Sequence, residues 1–303
     1  NKNMKKINSY FDTTTKSKSL SYWINCFIFS KLQKNNLNPD RQKLKIPVIY
    51  SNDFIGNHVS AFGFYEEEIL DVIFKFFKSQ NKNFKKGIAL DIGANIGGHS
   101  IYFSKFFKKV YAFEPHPITF RINQLNTENI RNIKTFKFGL GEKKKKTILY
   151  ENNVNKGSSS IINRKEYVAS TQKKIKFNID IRKLDDIKID FQKILLIKID
   201  AEGCESLIIN GGLKVIRKNL PIIIFEQHIR DFDKDENKII KELRQLQYNF
   251  FIHTKGYEGK SLILKRIFNI KEFFFGKKHT IIKSDKIPKN FYQLLIAVPQ
   301  KNK

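Results

Sequence analysis

Ala89-Leu-Asp-Ile-Gly-Ala-Asn-Ile-Gly-Gly-His-Ser100 joins an apolar run that ends in an acid to a glycine turn that opens a helix. Gly93 and Gly97 carry no Cβ, so the backbone can pass close to a ligand there. The free N–H groups of the following helix point at whatever is bound. Val110-Tyr-Ala-Phe-Glu-Pro115 supplies the next strand and again ends in an acid, Glu114. Two parallel strands joined by a helix, with an acid about twenty residues past the glycines to hold ribose hydroxyls, describe a doubly wound α/β nucleoside site.

A dinucleotide site would show G-x-G-x-x-G and receive a pyrophosphate on the helix start. Here the pattern is Asp91-x-Gly93-x-Asn95-x-Gly97, and a carboxylate beside the turn repels a pyrophosphate. It favours a ligand carrying an ammonium and a sulfonium. S-adenosyl-L-methionine has that charge pattern. His99 follows the turn and is placed to seat the cofactor's amino-acid end.

Ile194-Leu-Leu-Ile-Lys-Ile-Asp-Ala-Glu-Gly-Cys-Glu205 is a second buried-type strand, running into Asp200, Glu202 and Glu205. Ligands of open α/β sheets gather outside the carboxyl ends of the strands, so Asp200 and Glu202 are expected to face the same crevice as Asp91 and Glu114. Favourable placement of an acid in the first turn of a helix accounts for Glu205 better than for Asp200.

These residues resemble the FkbM-type family of S-adenosylmethionine-dependent methyltransferases, which carry a D-x-G-A-N-x-G turn, an A-F-E-P strand end and a K-x-D-x-E-G-x-E element. All three stand here in order. Weaker echoes are Gly63-Phe-Tyr-Glu66, Leu184-Asp-Asp186, Gly211, Phe225-Glu226 and the tail Leu294-Leu-Ile-Ala-Val-Pro299. The resemblance implies a class I, Rossmann-like methyltransferase fold and methyl transfer to oxygen, on a sugar, a glycan or a small hydroxylated metabolite. Asp91, Gly93, Asn95, Gly97, His99 and Glu114 are then the cofactor side, with Glu142 joining them. Asp200, Glu202 and His228 are the catalytic side.

Transfer to a hydroxyl needs the oxygen in line with the sulfonium carbon and a group to take its proton. Asp200 is the expected general base or orienting group. Glu202 beside it raises the pKa of one of the pair, and His228, two residues past Glu226, is the alternative base. The D-x-E spacing also permits a divalent cation on hard carboxylate oxygens. No set of metal ligands is complete in the sequence.

The 303 residues suffice for one large α/β domain with an N-terminal extension. The expected division is an extension over 1–60 and a methyltransferase domain over 61–303. The formal charge of +28 raises a rival reading, a methyltransferase of RNA or another nucleic acid. Against it, the excess is mostly Lys spread along the chain, and Asp200-Ala-Glu-Gly203 stands where an N/D-P-P-Y element would follow the acidic strand. The same charge accommodates peripheral contact with an anionic membrane. Cys26 and Cys204 are too few for a disulfide scaffold, so the expected compartment is the reducing cytoplasm. Tyr22-Trp-Ile-Asn-Cys-Phe-Ile-Phe29 is too short to span a bilayer. It reads as a helix packed on the domain, or as an interfacial or oligomer contact.

Along the chain, loosely packed helices are expected over 1–45, a short strand over 45–50 and an amphipathic helix over 64–77. Strands are expected at 87–91, 109–114, 133–138, 194–199, 221–226 and 248–253. The intervening helices are 98–107, 117–129, 205–218 and 234–247. That alternation makes a mostly parallel, doubly wound sheet. The segment 143–182 reads as an inserted β-hairpin whose polar loop, Gly157-Ser-Ser-Ser160, lies over the acceptor side. The stretch 255–292 fits no element and reads as an insertion before the last strand.

Overall fold

Ile88-Ala-Leu-Asp-Ile92 has no polar side chain until Asp91, and all five residues are buried, as the central strand of a sheet covered on both faces requires. In the computed structural model of the chain residues 11–14, 19–24, 26–28, 53–62, 64–151, 156–162, 175–188, 193–233, 236–255, 276 and 278–300 are described. In chain order the elements are β1 (Phe11–Thr14), α1 (Phe54–Phe62), α2 (Glu67–Ser79), β2 (Ile88–Ile92), α3 (Gly98–Ser104), β3 (Lys109–Phe113), α4 (Pro117–Thr127), β4 (Ile133–Phe136), β5 (Gly139–Leu140), β6 (Lys145–Tyr150) and β7 (Lys176–Arg182). They continue with β8 (Ile194–Ile199), α5 (Glu205–Gly211), α6 (Leu213–Asn219), β9 (Ile222–Gln227), the short pair β10 (Phe232–Asp233) and β11 (Glu236–Asn237), α7 (Lys238–Gln245), β12 (Tyr248–Lys255), β13 (Lys278–Lys283) and β14 (Tyr292–Pro299).

The main sheet has nine strands in the order β1-β13-β12-β14-β9-β8-β2-β3-β4. Strands β9, β8, β2, β3 and β4 are parallel, while β14 runs antiparallel to both β9 and β12. The chain leaves β2 toward β3 and β4 and returns on the other side to β8 and β9. The point of reversal, where an open α/β sheet binds its ligand, therefore lies at the carboxyl ends of β2 and β8. This is a class I, Rossmann-like α/β fold.

Each face of the sheet has its own core. Ile208, Ile209 and Ile216 of α5 and α6 pack with Ile240 and Leu243 of α7 on one side. On the other, α2 buries Ile69, Leu70, Ile73, Phe76 and Phe77 at helical spacing. Glu67 and Glu68 stand in its first turn and Lys78 in its last, matching the helix dipole. Phe74 of α2 meets the rings of Phe77, Phe84, Tyr102 and Phe106, a cluster in which each fully buried ring is worth roughly 1.5–3 kcal/mol.

Three features depart from the sequence reading. Residues 205–218 form two helices, because Gly211 and Gly212 break the run. A Cβ on Gly211 would lie 2.0 Å from the carbonyl oxygen of Gly141, so the glycine lets α5 touch the loop after β5. The segment 143–182 contributes to a three-stranded sheet, β5-β7-β6, in which β6 and β7 are the antiparallel pair. Within the N-terminal region expected to be helical, Phe11–Thr14 is an edge strand on β13. The proposed strand over 45–50 and Phe273-Phe-Phe275 lie outside the described residues. In the apolar patch, Leu20 and Phe27 are 66% and 65% exposed. Among the described residues no helix is long and apolar enough to cross a membrane.

Candidate active site

Where β2 and β8 end, their backbones nearly collide. Gly93 has φ +73°, and a Cβ there would lie 1.7 Å from the carbonyl oxygen of Asp200. Only glycine permits this approach. The amides of Gly93 and Ala94 both donate to the carbonyl of Phe113, tying the turn to β3. Asn95 takes φ 50°, and its amide donates to Glu114 Oε2 at 2.9 Å. Asn123 of α4 then donates to the Asn95 carbonyl at 2.9 Å. Gly97, at φ 92°, starts α3.

Asp91 is wholly buried. Its Oδ2 accepts from Ser100 Oγ at 2.6 Å, and its Oδ1 lies 3.3 Å from Lys198 Nζ. That ammonium, also buried, donates to the Gly93 carbonyl at 2.9 Å and stands 3.5 Å from Asp200 Oδ2. Burial pulls the Lys198 pKa down, but Asp91 and Asp200 more than reverse this and hold it above the usual lysine value. Asp91 thus meets the crevice only through Lys198, whereas Asp200, 40% exposed at its side chain, opens into it.

Two adjoining cavities occupy the rim and share Ile55, Tyr65, Glu66, Gly93, Asn95 and Asp200. The first is walled by Phe113, Glu114, Leu140 and Ile181 and reaches Glu202 and Glu226. The second is walled by Phe64, Ile96, His99 and Lys198. Glu114 is buried, which raises its carboxyl pKa, while the amides of His116 and Asn95 oppose the rise. His116 caps α4: its Nδ1 accepts from Thr119 N at 3.2 Å, leaving Nε2 to donate to Glu151 at 3.0 Å.

His99 lies 3.0 Å from Glu66, a residue at φ 65° that also accepts from Gln293 of β14. Burial pushes the Glu66 carboxyl up, yet His99, Gln293 and Lys198 outweigh it and the pKa falls below the ordinary value. Tyr65 beside it is raised by burial and by Glu66, Asp200 and Glu226.

Past β8, the turn places Glu202 at φ 52°. Glu202 Oε2 is 3.9 Å from His228 Nε2 and 3.7 Å from Arg230 Nη2, and Ser160 Oγ donates to the Glu202 carbonyl at 2.9 Å. Burial, Glu226 and Asp200 push the Glu202 carboxyl up to about 7. Glu226 lies 3.0 Å from His228 and is raised further, by burial and then by Asp200 and Glu205. Glu205 turns inward instead, accepting from the amides of Ala201 and Gly203 at 2.9 and 3.2 Å. Its pKa is raised to about 7 by burial, against those bonds.

The structure therefore brings Gly93, Asn95, His99, Glu114, Asp200 and Glu202 to the two cavities, with His228 against Glu202 and Glu226 at their edge. Asp91 and Gly97 sit behind the wall, supporting it. Glu142 is exposed on the loop after β5 and lines neither cavity. Lys198, Glu226, Tyr65 and Glu66 stand in motifs quoted from the sequence but were given no role in the site there. Lys198 and Glu226 were marked by being charged residues inside otherwise apolar strands.

Residues 91–250 match the family model described as the methyltransferase FkbM domain. The chain belongs to the FkbM methyltransferase family. It is a methyltransferase domain whose cofactor is S-adenosyl-L-methionine. The chain resembles the methyltransferase FkbM of Methylobacillus flagellatus KT at 23% identity and TM-score 0.33, over 50% of this chain and 36% of that one. This chain thus spans about a third of that protein's length. It resembles the precorrin-6y C5,15-methyltransferase of Geobacter metallireducens GS-15 at 13% identity and TM-score 0.38, over 84% and 100% of the two chains. It also resembles SMU.1697c of Streptococcus mutans in complex with SAH, at 14% identity and TM-score 0.36, over 71% and 97%. No curated protein matches the chain.

The residues present fit the FkbM cofactor. Five carboxylates, Glu66, Glu114, Asp200, Glu202 and Glu226, line the two cavities beside apolar walls that include Phe64, Ile96, Phe113, Leu140 and Ile181, in a chain of formal charge +28. That donor set suits ribose hydroxyls, an ammonium and a sulfonium beside an apolar base, and repels phosphate.

Proposed function

We propose that this FkbM domain is an O-methyltransferase acting on a hydroxyl of a sugar, a glycan or a small hydroxylated metabolite. The observation that carries the reading is the convergence of Asp200, Glu202 and His228 on one edge of the crevice, joined by Glu226. An alcohol must lose its proton as its oxygen takes the methyl group, and a carboxyl group with a pKa of about 7 is poised to receive that proton near neutrality.

The roles divide along the rim. Glu114 would hold the ribose hydroxyls, and Leu140 and Ile181, which line the same cavity, would flank the base. His99 and the turn through Asn95 and Gly97 seat the amino-acid end. When bound, S-adenosyl-L-methionine supplies a methyl group on a cationic sulfur, whose carbon–sulfur electron pair stays on the departing thioether. Asp200, facing both cavities, orients the acceptor hydroxyl, and Glu202 takes its proton. Gly157, Ser158 and Ser159 line the same cavity opposite the strand ends and limit the access of water.

Calorimetric titration with S-adenosylhomocysteine, paired with transfer of labelled methyl to pools of glycans, small metabolites and total RNA, tests this. Asp200→Asn is expected to keep binding within about threefold while turnover falls about 10²-fold or more. Label entering only RNA, or full turnover by Asp200→Asn, would overturn the proposal.

A further inference from the structure

We propose that Glu202, Glu226 and His228 form a binding site for one divalent first-row metal ion at the acceptor edge of the crevice. Glu226 and His228 are two apart at the end of β9, which puts their side chains on the same face of the strand. Glu202 reaches them from the turn after β8. One ligand atom of each residue lies within 4.8 Å of the other two.

The spacing is that of ligands sharing an ion. A cation with bonds of about 2.1 Å sets neighbouring ligands at right angles about 3.0 Å apart. His228 Nε2 and Glu226 Oε2 are 3.0 Å apart, and Glu202 Oε2 is 3.9 Å from the same nitrogen. Although so close, Glu226 Oε2 and His228 Nε2 are both buried atoms that make no aligned hydrogen bond. Arg230 stands back from Glu202 at 3.7 Å, with a side chain 42% exposed.

Two carboxylate oxygens and one imidazole nitrogen suit manganese(II) or a neighbouring divalent ion better than calcium, and two negative ligands balance its charge. Glu202 and Glu226 both line the first cavity, so the coordination positions left open face the acceptor. This deepens the functional reading on which it rests, with one change: a Glu202 that holds the ion leaves Asp200 to take the proton, and the acceptor would be one that offers a hydroxyl with a second oxygen beside it, able to chelate.

The test uses the full chain, stripped of metal and with neither donor nor acceptor present. Titration with manganese(II), followed by electron paramagnetic resonance, is expected to show one bound ion per chain carrying hyperfine coupling to one imidazole nitrogen. His228→Ala and Glu226→Gln should each weaken binding at least tenfold, and the exposed Glu142→Gln should leave it unchanged. Absence of binding up to about 1 mM, or a bound ion with no nitrogen coupling, overturns the site. The nitrogen signal is read on the unaltered protein, so it decides the matter even if a variant fails to fold. Calorimetry with S-adenosylhomocysteine on the same sample separates the two proposals. Cofactor binding without manganese binding removes only the metal site, and manganese binding without cofactor binding removes only the transferase reading.

Discussion

Two carboxylate clusters sit a few residues apart on the same rim and differ in how their charge is balanced. At the ends of β2 and β8, Asp91 and Asp200 flank the buried ammonium of Lys198, with Ser100 donating to Asp91 and the ammonium donating to the Gly93 carbonyl. Around β9, Glu202 and Glu226 share a single imidazole and a partly exposed guanidinium, and both carboxyls are pushed upward. The first group is balanced from within by a buried cation and holds the strand ends together. The second is less well balanced, its guanidinium being 42% exposed, and carboxyls raised in this way mark places where a ligand or a proton is handled.

Removing the cation from the balanced group should have the largest effect. Lys198→Met leaves Asp91 fully buried with no opposite charge, and breaking such a pair costs about 3–5 kcal/mol. Urea denaturation of the variant is expected to show that loss, or no folded protein; stability equal to the parent would erase the distinction between the clusters.

The unbalanced group should respond in the opposite sense. Glu202, Glu205 and Glu226 have pKa values raised by folding, so the folded chain holds protons that the unfolded chain releases. Their contribution to stability is complete below the unfolded carboxyl pKa of about 4.3 and drains away as pH rises toward and beyond 7. Glu226→Gln should flatten that decline, gaining of order 1–3 kcal/mol over the parent at pH 8 in chelator. Thermal melts from pH 5 to 8 measure it, and parallel profiles for the two proteins would show that Glu226 carries no such burden. The smallest expected effect is that of Ser100→Ala, which removes one hydrogen bond to Asp91 but keeps Lys198. A loss of about 1 kcal/mol in the same denaturation assay is expected.

The parallel half of the fold was readable because its strands are buried on both faces and therefore spelled out as apolar runs, each closed by an acid or a glycine. In the antiparallel half, β12 and the last strand were read from the sequence, but β1 and β13 were not. Strand β1 has four residues and finds its partner β13 some 270 positions later, a pairing that no local pattern encodes. In the site, the turn at Gly93 and the acids after β8 announced themselves by position. Lys198 was conspicuous but unexplained: a lysine in Ile-Leu-Leu-Ile-Lys-Ile breaks the apolar run, and its meaning appears only when Asp91 of the neighbouring strand stands beside it. Glu66 likewise depends on Gln293, which is 227 residues away in sequence.

Among the described residues, strand β14 is the only link between β9 and β12, and it is also the strand that supplies Gln293. Without β14 the sheet would fall into two pieces, and Glu66 would lose one of its anchors. A single strand thus splices the two halves of the fold and steadies the wall of the crevice where the methyl donor would sit.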